Sequence, residues 1–356
     1  MTRRFLSLTL AVALAAAITT PVFALDTVTR KSDNKKFGGT IIDMSKNEFK
    51  VKKAVGEPDV FQANDVSAVD WEGASGDLRL GVSDENGGRF EMAIQRYTKS
   101  QAESKGSSEH LKAEFAYVIA RATAKWAFSD PDKQAAAIQL LQAAQKSNPN
   151  HFRYYESVSL LGQTQLASGD AAGARTTFAL LAKAPWSDYK LASQIASGRI
   201  LIAENKLDEA VKEFEAAAAG ASDSPADQLR KYDAMLGQAR ALVMQAKHEE
   251  ALKILETVTD KGPADEAALQ AEAYVLQGDS LQALGRAKEA ALAYLHVDIL
   301  FSRETTQHAA ALFNLSKVWK SVQLPDRSTE AEAKLVQLYP NSSWRKKLAG
   351  SAAPAE

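Results

Sequence analysis

The sequence predicts a mainly α chain, an α-solenoid of about seven stacked helix pairs preceded by a small β domain. Three observations predict it. From Leu25 to Trp71 short runs alternate apolar and polar residues between turn formers. After Trp71 the spacing becomes helical and the composition rich in Ala, Leu, Glu, Gln and Lys. Within the helical part, a frame of small and aromatic residues returns at fixed offsets.

Composition sets the outer limits. With 356 residues, 46% of them hydrophobic and 24% charged, the chain is too apolar to be disordered and long enough for two domains or one elongated array. It opens MTRRFLSLTLAVALAAAITTPVFALDTV, with Arg3 and Arg4 ahead of a charge-free apolar run and small residues near Ala24. That order is expected of a secretory signal over residues 1–24, cut after Ala24; an uncleaved membrane anchor is the alternative. No later segment has the length and apolarity to cross a membrane as a helix, so an exported, periplasmic or secreted protein is expected. Cysteine is absent, which excludes disulfides, thiolate metal sites and a cysteine nucleophile. The 43 basic residues less Arg3 and Arg4 leave 41 against 44 acidic ones, a balance that gives no support for nucleic-acid binding.

Residues 25–72 read as about five short strands, in the runs TVTR, GGTIIDM, EFKVKKA, DVFQA and VSAVDW. The order of these runs, with Phe37-Gly38-Gly39-Thr40-Ile41-Ile42 and Val66 to Trp71, resembles the SH3-like or Sm-like small β-barrels. Arg30 to Lys53 holds eight basic residues against Asp33, Asp43 and Glu48. Two readings stand: a polyanion-binding strand face, or lysines that solubilise exposed strands and block edge pairing.

The helical frame is Gly81, Gly88, Ala93 and Tyr97; Gly162, Gly169, Ala174 and Phe178; Gly278, Gly285, Ala290 and Tyr294; and, with one change, Gly198, Asn205, Ala210 and Phe214. A small first residue lets the second helix of a pair approach the first. The Gly or Asn seven later permits the left-handed turn that ends a helix. The alanine marks the crossing, and the aromatic one turn on fills the gap beyond. Two units are more degenerate, one around Ala137 and Leu141 and one around Ala239, Ala251 and Leu255; a last unit keeps the helical rhythm and Tyr339-Pro340. The pattern resembles tetratricopeptide repeats over residues 76–345, followed by a tail at 346–356 expected to be disordered. Crossing alanines at 93, 137, 174, 210, 251 and 290 are 36 to 44 residues apart, against about 34 for that family. The surplus is expected in loops, at 129–133 and 220–228.

Chemistry is sparse. The five histidines form no zinc pattern, no phosphate loop or nucleophile elbow is present, and DENGG at 84–88 lacks the closing acid of a calcium loop. No catalytic, cofactor or metal residue is singled out, and the expectation is a non-enzymatic protein without a cofactor. What remains is a surface. The resemblance implies that the first helix of each pair lines a concave groove, with contacts flanking the small residue of the frame. On this chain those positions include Glu156, Ser159 and Gln163; Ile195, Arg199 and Ile202; Asp233, Leu236, Arg240 and Val243; and Glu272, Val275, Asp279 and Gln282. Arg199 and Arg240 would hold an acidic segment, or else stand solvated on a groove that binds through apolar patches. The function expected is an exported adaptor or scaffold in the bacterial cell envelope that binds a protein or peptide by its concave face. The alternative is a binder of envelope polysaccharide or cell-wall fragments through the basic face of the barrel.

Overall fold

A computed structural model describes residues 25–104 and 106–352. The expected signal, at 1–24, lies outside the described residues.

Five strands form one antiparallel sheet: β1 Asp26–Arg30, β2 Lys36–Met44, β3 Glu48–Lys52, β4 Asp59–Gln62 and β5 Val66–Asp70, in the order β4-β3-β2-β1-β5. Each expected run became a strand because its alternate residues bury one face; in β3, Phe49 and Val51 are inside and Glu48 and Lys52 outside. Register sets Val28 opposite Phe37 on one side and Val69 on the other. Shifts at Thr29/Arg30 and Ile41/Asp43 are of the kind that bend a sheet. β4 and β5 remain its two edges, so the sheet is not closed into the expected barrel. The four residues of β4 present too little backbone to complete a ring.

The helices pair in chain order: α1 Gly76–Asn86 with α2 Phe90–Glu103, α3 Glu109–Ser129 with α4 Gln134–Ser147, α5 Tyr154–Ala167 with α6 Ala171–Phe178, α7 Ser187–Ala203 with α8 Leu207–Ala219, α9 Pro225–Met244 with α10 His248–Lys261, α11 Ala267–Ala283 with α12 Ala287–Leu300, and α13 Thr305–Ser321 with α14 Pro325–Leu338. A single helix follows, α15 Ser343–Ala352, where most of the tail was expected. Trp344 anchors it by packing on Phe313 at 5.2 Å between ring centroids. Part of the surplus length goes into helices rather than loops: α3 has 21 residues and α9 has 20, and Pro225 to Gln228 already belong to α9.

The frame acts as its spacing implies. Ala93, Ala137, Ala174, Ala210, Ala251 and Ala290 are fully buried. A Cβ at Gly81, Gly162 or Gly198 would lie 2.5–2.7 Å from the ring of Tyr97, Phe178 or Phe214, and Gly278 meets Tyr294 in the same way. The aromatic therefore rests on the glycine itself. Turn residues take positive φ at Gly88, Gly169, Gly285 and Asn205, and the degenerate units force Ala246 (φ 59°) and Gln323 (φ 61°) into the same conformation.

The sheet is not an independent body. Val28, Phe49, Val51 and Trp71 share one core with Leu78, Tyr97, Leu111, Phe115 and Phe152 of the first repeats. Phe49 meets Phe152 edge-on at 5.1 Å, and Arg153 Nη2 donates to the Ser67 carbonyl at 3.2 Å. At the other end the array returns to its start. α13 packs against α3, Asn341 Nδ2 donates to Asp130 Oδ2 at 3.2 Å, and Lys346 stands 3.6 Å from Asp132.

Candidate functional site: the inner wall of the solenoid

First helices pack on first helices, α3 on α5, α5 on α7, α7 on α9, α9 on α11 and α11 on α13, while the second helices do not pack closely on one another. That asymmetry curves the array with the first helices inside. The inner wall carries the expected site residues, some held by the neighbouring repeat and some within their own helix pair. Arg199 of α7 donates to Asp233 of α9 at 2.5 Å, and Arg240 of α9 donates to Glu272 of α11 at 2.5 Å. Asp279 accepts from Asn314 of α13 at 2.9 Å and from Tyr294 of its own pair at 2.7 Å; Tyr294 also reaches Gln282 at 3.3 Å. Glu156 pairs with Arg153 at 3.2 Å, and Gln163 donates to Ser159 one turn back at 2.9 Å. Residues one repeat apart meet because each pair repeats the last with a small rotation, so position n on one first helix faces its counterpart on the next.

Electrostatics follow the pairing. Glu272 is penalised by burial, but Arg240 and then Arg199 outweigh the penalty and hold its carboxyl below the ordinary range. Glu272 in turn raises Arg240 against the opposing effect of burial. Asp279 is pushed up because burial outweighs the Tyr294 hydrogen bond and the charges of Arg240 and Lys347, which act in the opposite direction.

A second charged group stands at the start of the wall, among residues that the sequence did not single out as a site. Glu85, buried at the end of α1, accepts Arg121 Nε and Nη2 of α3 at 2.8 Å each, Lys125 at 2.8 Å and the Tyr97 hydroxyl at 2.7 Å. Burial opposes its ionisation, yet Arg121 and Lys125 bring it down to about 2. Glu114 of α3 takes His151 at 3.2 Å and Arg153 at 3.6 Å. Glu85 itself lies inside the frame, between Gly81 and Gly88, whereas Glu114, Arg121 and Lys125 belong to a degenerate unit in which a 3-10 turn, Pro131–Lys133, separates α3 from α4. A buried Glu inside DENGG was the one legible signal, and the structure uses its acids for packing: Asp84 accepts from Arg89 and Arg96.

Half of the eight basic residues of the strand face are paired with carboxylates from within. Arg30 and Lys35 pair with Asp33, Lys50 with Asp43 and Glu48, and Lys53 with Asp59. Lys46 lies 5.2 Å over the ring of Tyr154. Among the described residues no helix is long and apolar enough to cross a membrane, and no group of three His, Asp or Glu side chains is placed to hold a metal ion.

Residues 233–263, from α9 through α10, match the tetratricopeptide repeat family. No curated protein sequence matches the chain. Among solved structures, the Rap protein complexed with Competence and Sporulation Factor is similar at 14% identity, over 77% of this chain and 75% of that one, with a TM-score of 0.54. The apo form of the quorum sensor NprR from B. thuringiensis is similar at 15% identity, over 74% and 75%, with a TM-score of 0.49. The chain is therefore a tetratricopeptide-like α-solenoid, one of whose helix pairs matches the repeat family itself.

Proposed function

We propose that this protein is an exported, non-enzymatic adaptor of the cell envelope that binds a protein or peptide partner on the inner wall of its solenoid. The observation that carries the reading is the wall itself. Polar side chains of successive first helices are locked to one another, as Arg199 is to Asp233 and Arg240 to Glu272, yet both arginines remain partly exposed at 33% and 46%. Such a surface is rigid before a ligand arrives, which lowers the ordering cost of binding. The Rap structure, whose fold is similar, is a complex with Competence and Sporulation Factor. Export is supported by the order of charge and apolarity over residues 1–24. Of the polysaccharide alternative's basic face, Arg30, Lys35, Lys50 and Lys53 are already paired with carboxylates.

Capture from envelope extract tests the reading. The mature chain, Leu25 to Glu356, serves as bait beside a Gln163→Arg/Gln282→Arg variant, which crowds the wall without breaking an ion pair, and an outer-face Glu250→Arg control. A partner retained by the mature chain and the control but lost from the double variant supports the inner wall. A partner retained by all three places binding elsewhere.

A further inference from the structure

The second helices form the outside of the curve, and α12 departs from the others there. Two residues past the crossing alanine the other units carry Gln95, Gln139, Thr176, Lys212 and Lys253, whereas α12 has Leu292. Nine past it stand Lys146, Lys183, Asp260 or an alanine, and in α12 Ile299, followed by Leu300. Leu292, Ile299 and Leu300 are 60%, 70% and 63% exposed, and among the described residues no other helix exposes more than two large apolar side chains. Spaced at i, i+7 and i+8, they lie on one face. His296 stands between them, its ring stacked on Tyr274 at 4.6 Å and its Nδ1 2.8 Å from the Leu292 carbonyl oxygen. The middle of the stripe is therefore held flat. Through Leu295 the apolar area continues into a cleft that Leu312, Leu315 and Trp319 also line. A contiguous strip of this kind marks an interaction site.

The charges at its two ends indicate what covers it. Glu289, exposed and paired with Arg286 of its own chain, precedes His296 by seven residues; Arg303, exposed in the turn after α12, follows it by seven. Among the described residues Arg303 forms no ion pair. Leu292 and Leu300 stand four residues either side of His296, and Lys288 and Glu304 eight. An antiparallel copy of α12, laid across the first with His296 on the two-fold axis, sets Leu292 against Leu300, Glu289 against Arg303 and Lys288 against Glu304. We propose that this protein pairs with a second copy of itself through the outer face of α12, as an antiparallel two-fold dimer centred on His296. Every contact then occurs twice, so a stripe flanked by opposite charges is complementary to itself. A parallel pairing would set like charges against each other at both ends. The inner wall, formed by the first helices, stays open in the dimer.

The test is sedimentation equilibrium of the mature chain from about 1 to about 200 µM, the range in which so small a strip is expected to associate. The parent is compared with Ile299→Glu, Glu289→Arg, Arg303→Glu, an equimolar mixture of the last two, and the control Glu250→Arg on α10; thermal melts check that each is folded. The expected result is a concentration-dependent dimer, unchanged in Glu250→Arg and lost in Ile299→Glu. Glu289→Arg alone brings two cations together at both ends, and Arg303→Glu alone brings two anions together, so each should associate about tenfold more weakly. A mixed pair has opposite charges at both ends and should associate like the parent. A parent that stays monomeric throughout, a dimer indifferent to Ile299→Glu, or a mixture no tighter than either charge variant alone would overturn the proposal.

Discussion

Gly88, in the turn of the first helix pair, lies against Thr305 at the start of the seventh: a Cβ on Gly88 would sit 2.8 Å from Thr305 Cγ2 and 3.0 Å from the Arg303 carbonyl oxygen. The solenoid therefore completes a turn and touches its own beginning. Gly88 has two reasons to be glycine, its φ of 72° and this contact. Gly169 occupies the same turn position, with φ 87°, but has open space around it. Gly169→Ala is expected to cost about 1 kcal/mol from backbone strain alone. Gly88→Ala should cost about 1–3 kcal/mol more, because the ends must separate. Urea denaturation of the two variants measures the difference, and equal losses would mean that the closing contact contributes nothing.

The degenerate turns offer the opposite change. Ala246 is exposed, with φ 59°, a conformation that an alanine holds at a cost of about 1–2 kcal/mol. Part of that gain is offset by the greater freedom glycine brings to the unfolded chain. Ala246→Gly is expected to stabilise the protein by about 1 kcal/mol, read as a higher urea midpoint at unchanged slope.

The frame glycines cannot accept a methyl group. At Gly198 a Cβ would lie 2.7–3.0 Å from three ring atoms of Phe214, itself fully buried. Gly198→Ala should cost about 1–3 kcal/mol. A second change, Phe214→Leu, should recover part of the loss, and a double-mutant cycle reads that coupling. Strict additivity would contradict the glycine–aromatic contact.

Glu85 makes stability depend on acid. Its folded pKa of about 2 lies below the ordinary 4.5, so its contribution is fully present above about pH 4.5 and disappears as pH falls toward 2. The shift corresponds to about 3 kcal/mol. Glu85→Gln should remove this pH dependence and leave Arg121 buried without its partner, lowering stability at pH 7. Chemical denaturation at pH 7, 4 and 2.5 should show the parent and variant curves converging in acid.

Sheet and solenoid should unfold together at the N-terminal end. Phe49 of β3 is fully buried and meets Phe152, just ahead of α5, edge-on. Phe49→Ala is expected to cost about 3–5 kcal/mol. Hydrogen exchange should show protection falling in α3 and α5 as well as in the strands. A loss confined to the strands would make the sheet a separate unit.

The sequence by itself determined the units. Alternation placed five strands, and Gly81, Ala93 and Tyr97 with their repeats placed the helix pairs, because a local pattern of sizes decides which residues can meet inside one pair. Only the tertiary structure decided three further things. Whether five strands close depends on the reach of β4, which has four residues. Whether Arg199 and Arg240 await a ligand or serve their neighbours depends on contacts 32 and 34 residues away, set by the rotation between pairs. Whether Asp130 meets Asn341, 211 residues on, depends on the sum of those rotations over the whole array. Small angles accumulate along a stack of repeats, and no local pattern records their total.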